Sequence, residues 1–198
     1  MEKIIFATSN QGKLREIKEI FKDSNYEIIS MKEAGINIDI EEAGSTFEEN
    51  AYIKARAVYD KAKCVVMADD SGLEVDYLEK KPGVFSSRYM GENTSYEFKN
   101  AHILELLKGV PENMRSARFV SSICCILKNG EVLHTAATLE GSIAHEASGT
   151  EGFGYDPIVY VPEYQKTCAK LSLQEKNKIS HRGKALRQMR DLLAERLM

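Results

Sequence analysis

Five groups of polar residues carry side chains suited to a phosphorylated ligand. Thr8-Ser9-Asn10-Gln11-Gly12-Lys13 stands between a short apolar run and a helical pattern. Amides of such a loop and helix start attract anions, and Lys13 adds a full charge. The G-x-x-x-x-G-K-[ST] spacing of a P-loop is absent, and a capped helix with a solvated lysine fits the same residues. Asp69-Asp70-Ser71-Gly72 follows a second apolar run. Two adjacent carboxylates leaving a strand suit a hard cation with water and phosphate as co-ligands; the same residues also make an ordinary turn. Glu41-Glu42 precede a helix, where negative charge is favourable by itself; next to the aspartate pair they would complete a Mg2+ site.

The fourth group is Gly149-Thr150-Glu151-Gly152-Phe153-Gly154-Tyr155-Asp156-Pro157. Its three glycines permit close backbone approach to a ligand, and Phe153 and Tyr155 offer planes on which a base could stack. A tight loop packed by its own aromatics is the plainer alternative. The fifth group is Lys176 with Ser180-His181-Arg182. Lys176 can hold a phosphate, and His181 and Arg182 can donate to a carbonyl oxygen, or each cation can simply face solvent. Together the groups supply cations for phosphates, carboxylates for Mg2+, rings for a base and donors for its carbonyl. That set fits a nucleoside triphosphate better than a protein or a sugar.

These groups sit at the ends of strands and starts of helices, where open α/β sheets bind ligands. Residues 3–7 read as a buried strand, and Leu14, Ile17, Ile20 and Phe21 recur at helical spacing. Residues 26–40 read as extended, then loop. Ser45 with Glu48, and Thr46 with Glu49, fit a capping box ahead of a helix whose face carries Phe47, Ala51, Ala55, Val58 and Ala62. Residues 64–68 form a strand that ends at Asp69. Residues 79–93 form a loop, and Thr94 with Glu97 caps a helix running to about Lys108. Residues 118–127 and 132–139 flank Asn129-Gly130, a hairpin signal, with a third strand at 141–147 and a short one at 158–161. Ser172 with Glu175 caps a short helix, and Ser180 opens the last, with Ala185, Leu186, Met189, Leu193 and Leu197 inward. The predicted class is α/β with a mixed sheet and flanking helices, in one domain over residues 1–198.

The 198 residues carry 27 Lys+Arg against 30 Asp+Glu, a net charge of −3, which disfavours a binder working by phosphate neutralisation of nucleic acid. No apolar run is long enough to cross a membrane. The start is too short and too polar for a signal peptide. Cys64, Cys124, Cys125 and Cys168 contain no C-x-x-C pair, so zinc is not expected. They read as reduced thiols of a cytoplasmic protein.

The ordered set of motifs resembles the inosine triphosphate pyrophosphatase family almost end to end. The matching pieces are Ala7-Thr8-Ser9-Asn10 with Lys13, Glu41-Glu42 with Thr46-Phe47 and Glu49-Asn50-Ala51, Lys54-Ala55, Ala68-Asp69-Asp70-Ser71-Gly72-Leu73, Pro82-Gly83 with Ser86 to Tyr89, Gly152 to Pro157, and Lys176-Asn177 with Ile179-Ser180-His181-Arg182. Lys170 departs from the family, which usually has a glutamate there. The resemblance implies hydrolysis of non-standard purine triphosphates (ITP, dITP, XTP) to monophosphate and pyrophosphate. It also implies Mg2+, a homodimer, and two lobes around a central cleft. Carried onto this chain, it makes Glu41 and Asp70 the metal ligands and Asp70 the group that orients or deprotonates water. It places Thr8 to Lys13, Ser71, Phe153, Gly154, Tyr155, Asp156, Lys176, His181 and Arg182 at the substrate. Another Mg2+ nucleotide hydrolase and a non-catalytic nucleotide sensor are the competing readings.

Overall fold

The computed structural model describes residues 1–196; Leu197 lies outside the described residues. The described residues form seven strands: β1 (Glu2–Phe6), β2 (Tyr26–Ser30), β3 (Val66–Val75), β4 (Ser116–Ile126), β5 (Val132–Ile143), β6 (Val159–Val161) and β7 (Lys166–Thr167). Five helices accompany them: α1 (Gln11–Phe21), α2 (Phe47–Ala62), α3 (Tyr96–Leu106), α4 (Leu173–Ile179) and α5 (His181–Arg196). The strand order is β2-β1-β3-β4-β5-β6-β7. β1 pairs in parallel with β2 and β3, while β6 pairs antiparallel with β5 and β7. The sheet is mixed and the class α/β, as the sequence predicts.

The chain divides into two compact units. Among the described residues, the first comprises Met1–Asp70, Ser121–Ala137 and residues 181–196. Its strands bury both faces, because residues of alternating direction are apolar on either side. One face packs Ile4, Phe6, Met67, Ile123 and Cys125 with Ile17 and Phe21 of α1 and Leu186 and Met189 of α5. The other packs Ile5, Val66, Ala68, Cys124 and Ile126 with Ala51, Ala55 and Val58 of α2. Adjacent Cys124 and Cys125 thus point to opposite faces. Full burial of each large apolar side chain contributes roughly 1.5–3 kcal/mol.

The second unit comprises Ser71–Val120 and Thr138–Ser180. Leu73, Val75, Ile103, Leu107, Phe119, Leu139, Ile143, Ile158 and Leu171 belong to its core. Arg115 is buried there, and its guanidinium donates to the carbonyls of Ile143, Leu107 and Ala144 at 2.8, 2.6 and 2.7 Å. The bond to Leu107 closes the C-terminal end of α3, and the three together make a buried charge tolerable.

Local chemistry explains most element boundaries. Asn10 caps α1 by accepting the Gly12 and Lys13 amides, and Ser172 with Glu175 forms the predicted capping box on α4. Thr46 caps α2, but Glu49 turns to the Ser45 amide and hydroxyl instead of closing the box on Thr46. Ser95, not Thr94, caps α3; the Thr94 hydroxyl is spent on the Met90 carbonyl. Residues 132–143 are one strand rather than two, and β7 was not predicted. Asn129-Gly130 does close a hairpin, with the Leu127 amide donating to Glu131 and the Gly130 amide to Leu127. The largest correction concerns β3. It does not stop at Asp69 but runs through Asp69-Asp70-Ser71-Gly72 to Val75. The two carboxylates are therefore strand residues buried by neighbouring elements, not members of a turn.

Candidate active site

The strand geometry of β3 assigns the two aspartates to different surroundings. Val65 and Met67 face the core lined by α1 and α5, whereas Val66 and Ala68 face the core lined by α2. Continuing that alternation, Asp69 turns toward α1 and α5, and Asp70 toward α2.

Asp69 is 1% exposed. Its Oδ1 lies 2.5 Å from Lys13 Nζ on α1, and its Oδ2 lies 3.0 Å from Arg182 Nε on α5. The Ser121 hydroxyl donates to Oδ2 at 3.2 Å. Arg182 Nη1 is bonded in turn to the Glu16 carboxylate on α1. Burial alone would raise the pKa of Asp69, but Arg182, Lys13 and Lys54 outweigh it and hold the carboxyl well below the usual range. Burial lowers the pKa of Lys13, and Asp69 only partly offsets this. For Arg182 the carboxylates of Asp69 and Glu16 overcome burial and raise it. A paired buried network of this kind fixes geometry more than it adds stability.

Asp70 meets the α2 side. Its Oδ1 accepts from Lys54 Nζ at 3.0 Å, and the same ammonium donates to Glu42 Oε1 at 3.1 Å. Burial raises the pKa of Asp70; Lys54 and Lys13 oppose the rise, and Glu42 adds to it. For Lys54, burial lowers the pKa, but Asp70, Asp69 and Glu42 outweigh it. Asp70 Oδ2 is buried and meets no hydrogen-bond donor among the described residues. A carboxylate with an elevated pKa and one oxygen available is equipped to accept a proton.

The second unit holds the aromatic loop. Asp156 Oδ2 accepts the Phe153 amide at 2.8 Å and Lys176 Nζ at 2.7 Å. That ammonium stands 4.6 Å from the centre of the Phe153 ring, within cation–π range. Gly152 has φ +75°, and a Cβ there would run into Asp156 Oδ2; glycine is needed on both counts. The Gly154 carbonyl accepts from Asn100 Nδ2 at 3.1 Å. Tyr155 is buried in the core, with its hydroxyl donating to Ser86 O at 2.8 Å and its ring edge-on to Tyr96. Its ring packs the loop, which leaves Phe153 as the half-exposed plane.

Several sequence-predicted residues sit differently from expectation. Ser9, Asn10 and Gln11 are exposed and Thr8 is half-buried, but the Gly12 and Lys13 amides are already held by Asn10. Glu41 is exposed, and Glu42 is the glutamate that shares Lys54 with Asp70. Ser71 is half-buried within β3. Lys176, His181 and Arg182 are buried, so none is a solvated helix charge. Two residues of the site carry no role in the sequence pattern alone. Lys54 and Glu16 each lie inside an apolar helical stripe, and a charge placed on such a stripe is the signal that could have marked them. Among the described residues no cluster of three or more His, Cys, Asp or Glu side chains is arranged for a metal, and no helix is long and apolar enough to cross a membrane.

An inner strand of a mixed α/β sheet thus carries two adjacent buried carboxylates, Asp69 against Lys13 and Asp70 against Lys54. The Ham1 family profile matches residues 4–192. A dITP/XTP pyrophosphatase of Caldanaerobacter subterraneus subsp. tengcongensis is 50% identical over 198 residues, covering 100% of this chain and 98% of the relative. That of Bacillus subtilis (strain 168) is 44% identical over 193 residues, covering 98% of both chains. The solved structure of a HAM1 protein from Coxiella burnetii superposes with a TM-score of 0.89 at 44% identity, covering 98% of this chain and 100% of that one. The Staphylococcus aureus Ham1 structure gives 0.87 at 42% identity, covering 98% and 100%. The chain belongs to the Ham1 family.

Proposed function

We propose that this chain hydrolyses non-standard purine nucleoside triphosphates (ITP, dITP and XTP) to the monophosphate and pyrophosphate, with Mg2+, as a cytoplasmic homodimer. The observation that carries the reading is Asp70: buried, raised in pKa, fixed through Oδ1 by Lys54, with Oδ2 available. The relatives' names supply the substrate class. The donor set suits Mg2+, because carboxylate oxygens are the ligands a hard cation takes and Asp70 Oδ2 lacks a partner among the described residues. Asp70 and Glu41, with Glu42 beside it, would hold the ion. When bound, it would neutralise charge developing on the phosphates.

The chain's own residues then have distinct duties. Asp70 orients the attacking water and takes its proton at Oδ2 as the water adds to the α-phosphorus and pyrophosphate leaves. Lys54 keeps Asp70 ionised and in place. In this reading the loop from Thr8 to Lys13 would serve the phosphate chain through the Lys13 charge, and Lys176 would be the second unit's cation for a phosphate. Phe153 gives the base a plane, and the hydrogen bond from its backbone N–H to Asp156 Oδ2 sets the ring's position. His181 and Arg182 would supply donors for a 6-oxo group, with the Arg182 guanidinium oriented by its bonds to Asp69 and Glu16. Adenine has an amino group there, and a donor left unpaired in a buried site costs about 1–3 kcal/mol.

A panel of nucleoside triphosphates with Mg2+, assayed separately for pyrophosphate and orthophosphate, tests the reading. Pyrophosphate from ITP, dITP and XTP, with ATP and GTP far slower, is the expected result. Orthophosphate as product, or tight ITP binding without turnover, would refute it.

A further inference from the structure

The loop that carries Glu41 and Glu42 is fastened to the first turns of α2, and the buried part of the fastening is Asn50. This residue is 0% exposed. Its Oδ1 accepts the Gly44 amide at 2.8 Å, which fixes the orientation of the side-chain amide, since a backbone N–H requires the oxygen. Gly44 has no room for a side chain: a Cβ there would stand 2.7 Å from Asn50 Oδ1 and 2.8 Å from Glu49 Cβ. The other tie, from Ser45 N and Oγ to Glu49 Oε2, is exposed and open to competition from water. Asn50 lies one helical turn before Lys54, so both project from the same buried face of α2. Its Nδ2 is buried and meets no acceptor among the described residues. A residue kept only for packing would be apolar, because an unpaired buried donor is destabilising. The polar side chain is retained for what its oxygen holds.

We infer that Asn50 is a positioning residue for the acidic loop: by holding the Gly44 amide it sets Glu41 and Glu42 for Mg2+ alongside Asp70. The inference rests on the pyrophosphatase reading above. The test compares wild type with Asn50→Ala, Gly44→Ala, the double variant and Asn50→Asp, which keeps an acceptor for Gly44. In the metal-free protein, amide hydrogen exchange at Gly44 should quicken about tenfold in Asn50→Ala, the effect of one lost buried hydrogen bond, and remain slow in Asn50→Asp. The Mg2+ concentration giving half-maximal pyrophosphate release should rise about tenfold in each alanine variant, and the double variant should be no worse than the poorer single one. Raising Mg2+ should recover turnover. Unchanged Gly44 exchange, a half-maximal Mg2+ within twofold of wild type, or multiplied effects in the double variant would overturn the assignment. Should wild type release no pyrophosphate, the functional reading fails by itself. Gly44 exchange and calorimetric Mg2+ binding to the same variants then still decide the role of Asn50.

Discussion

Asp69→Asn is the most informative single change in the first unit. The substitution is nearly isosteric, so it removes charge and leaves shape. In the native protein Asp69 balances two cations, Lys13 at 2.5 Å and Arg182 at 3.0 Å. Glu16 still accompanies Arg182 in the variant, but Lys13 loses its own carboxylate while remaining largely out of water. Breaking one side of a buried ion pair costs about 3–5 kcal/mol. In a domain of this size each kcal/mol shifts Tm by about 2–4 °C, so a fall on the order of 6–20 °C is expected. Circular dichroism melts of both proteins at several pH values make the assay. The sign follows from the depressed pKa of Asp69. Its contribution is full above the unfolded carboxylate value, about 3.9, and disappears as pH falls through the folded value. The gap in Tm should therefore be widest from about pH 5 to 7 and narrow in more acid solution. Equal melting temperatures at neutral pH, or a gap that widens on acidification, would refute the reasoning.

Two further changes probe the catalytic reading. Lys54→Met removes the strongest influence holding down the pKa of Asp70, which burial already raises; the acid limb of the kcat/KM profile for ITP should move to higher pH by about one unit or more. Gly152→Ala puts a methyl group against Asp156 at a left-handed φ, a cost of about 1–3 kcal/mol; KM for ITP should rise roughly tenfold, measured by steady-state kinetics.

Much of the architecture was legible because apolar periodicity and caps are local signals. The 3.6-residue spacing of Leu14, Ile17 and Phe21 marked α1, and Ser172 with Glu175 marked the start of α4. The site was legible as a set of residue types but not as a set of partners. Nothing local shows that Lys13 and Arg182 close on Asp69, since those pairings depend on α1 and α5 packing on the same face of β3. The Asp-Asp-Ser-Gly motif was misread as a strand end because its residues favour turns, a preference that burial by flanking helices overrides. Tyr155 was given a ligand's ring because aromatic type alone cannot separate a stacking platform from a core residue. Phe153 and Tyr155 differ in what lies beside them, not in chemistry.

Asp69 and Asp70 are sequence neighbours whose duties are kept apart only by whether their place along β3 is odd or even. Inserting a single residue between Val66 and Asp69 would turn each acid to the opposite face, handing the Asp69 carboxylate to the α2 side and the Asp70 carboxylate to two buried cations. The residue count of this strand therefore sets which helices each acid meets.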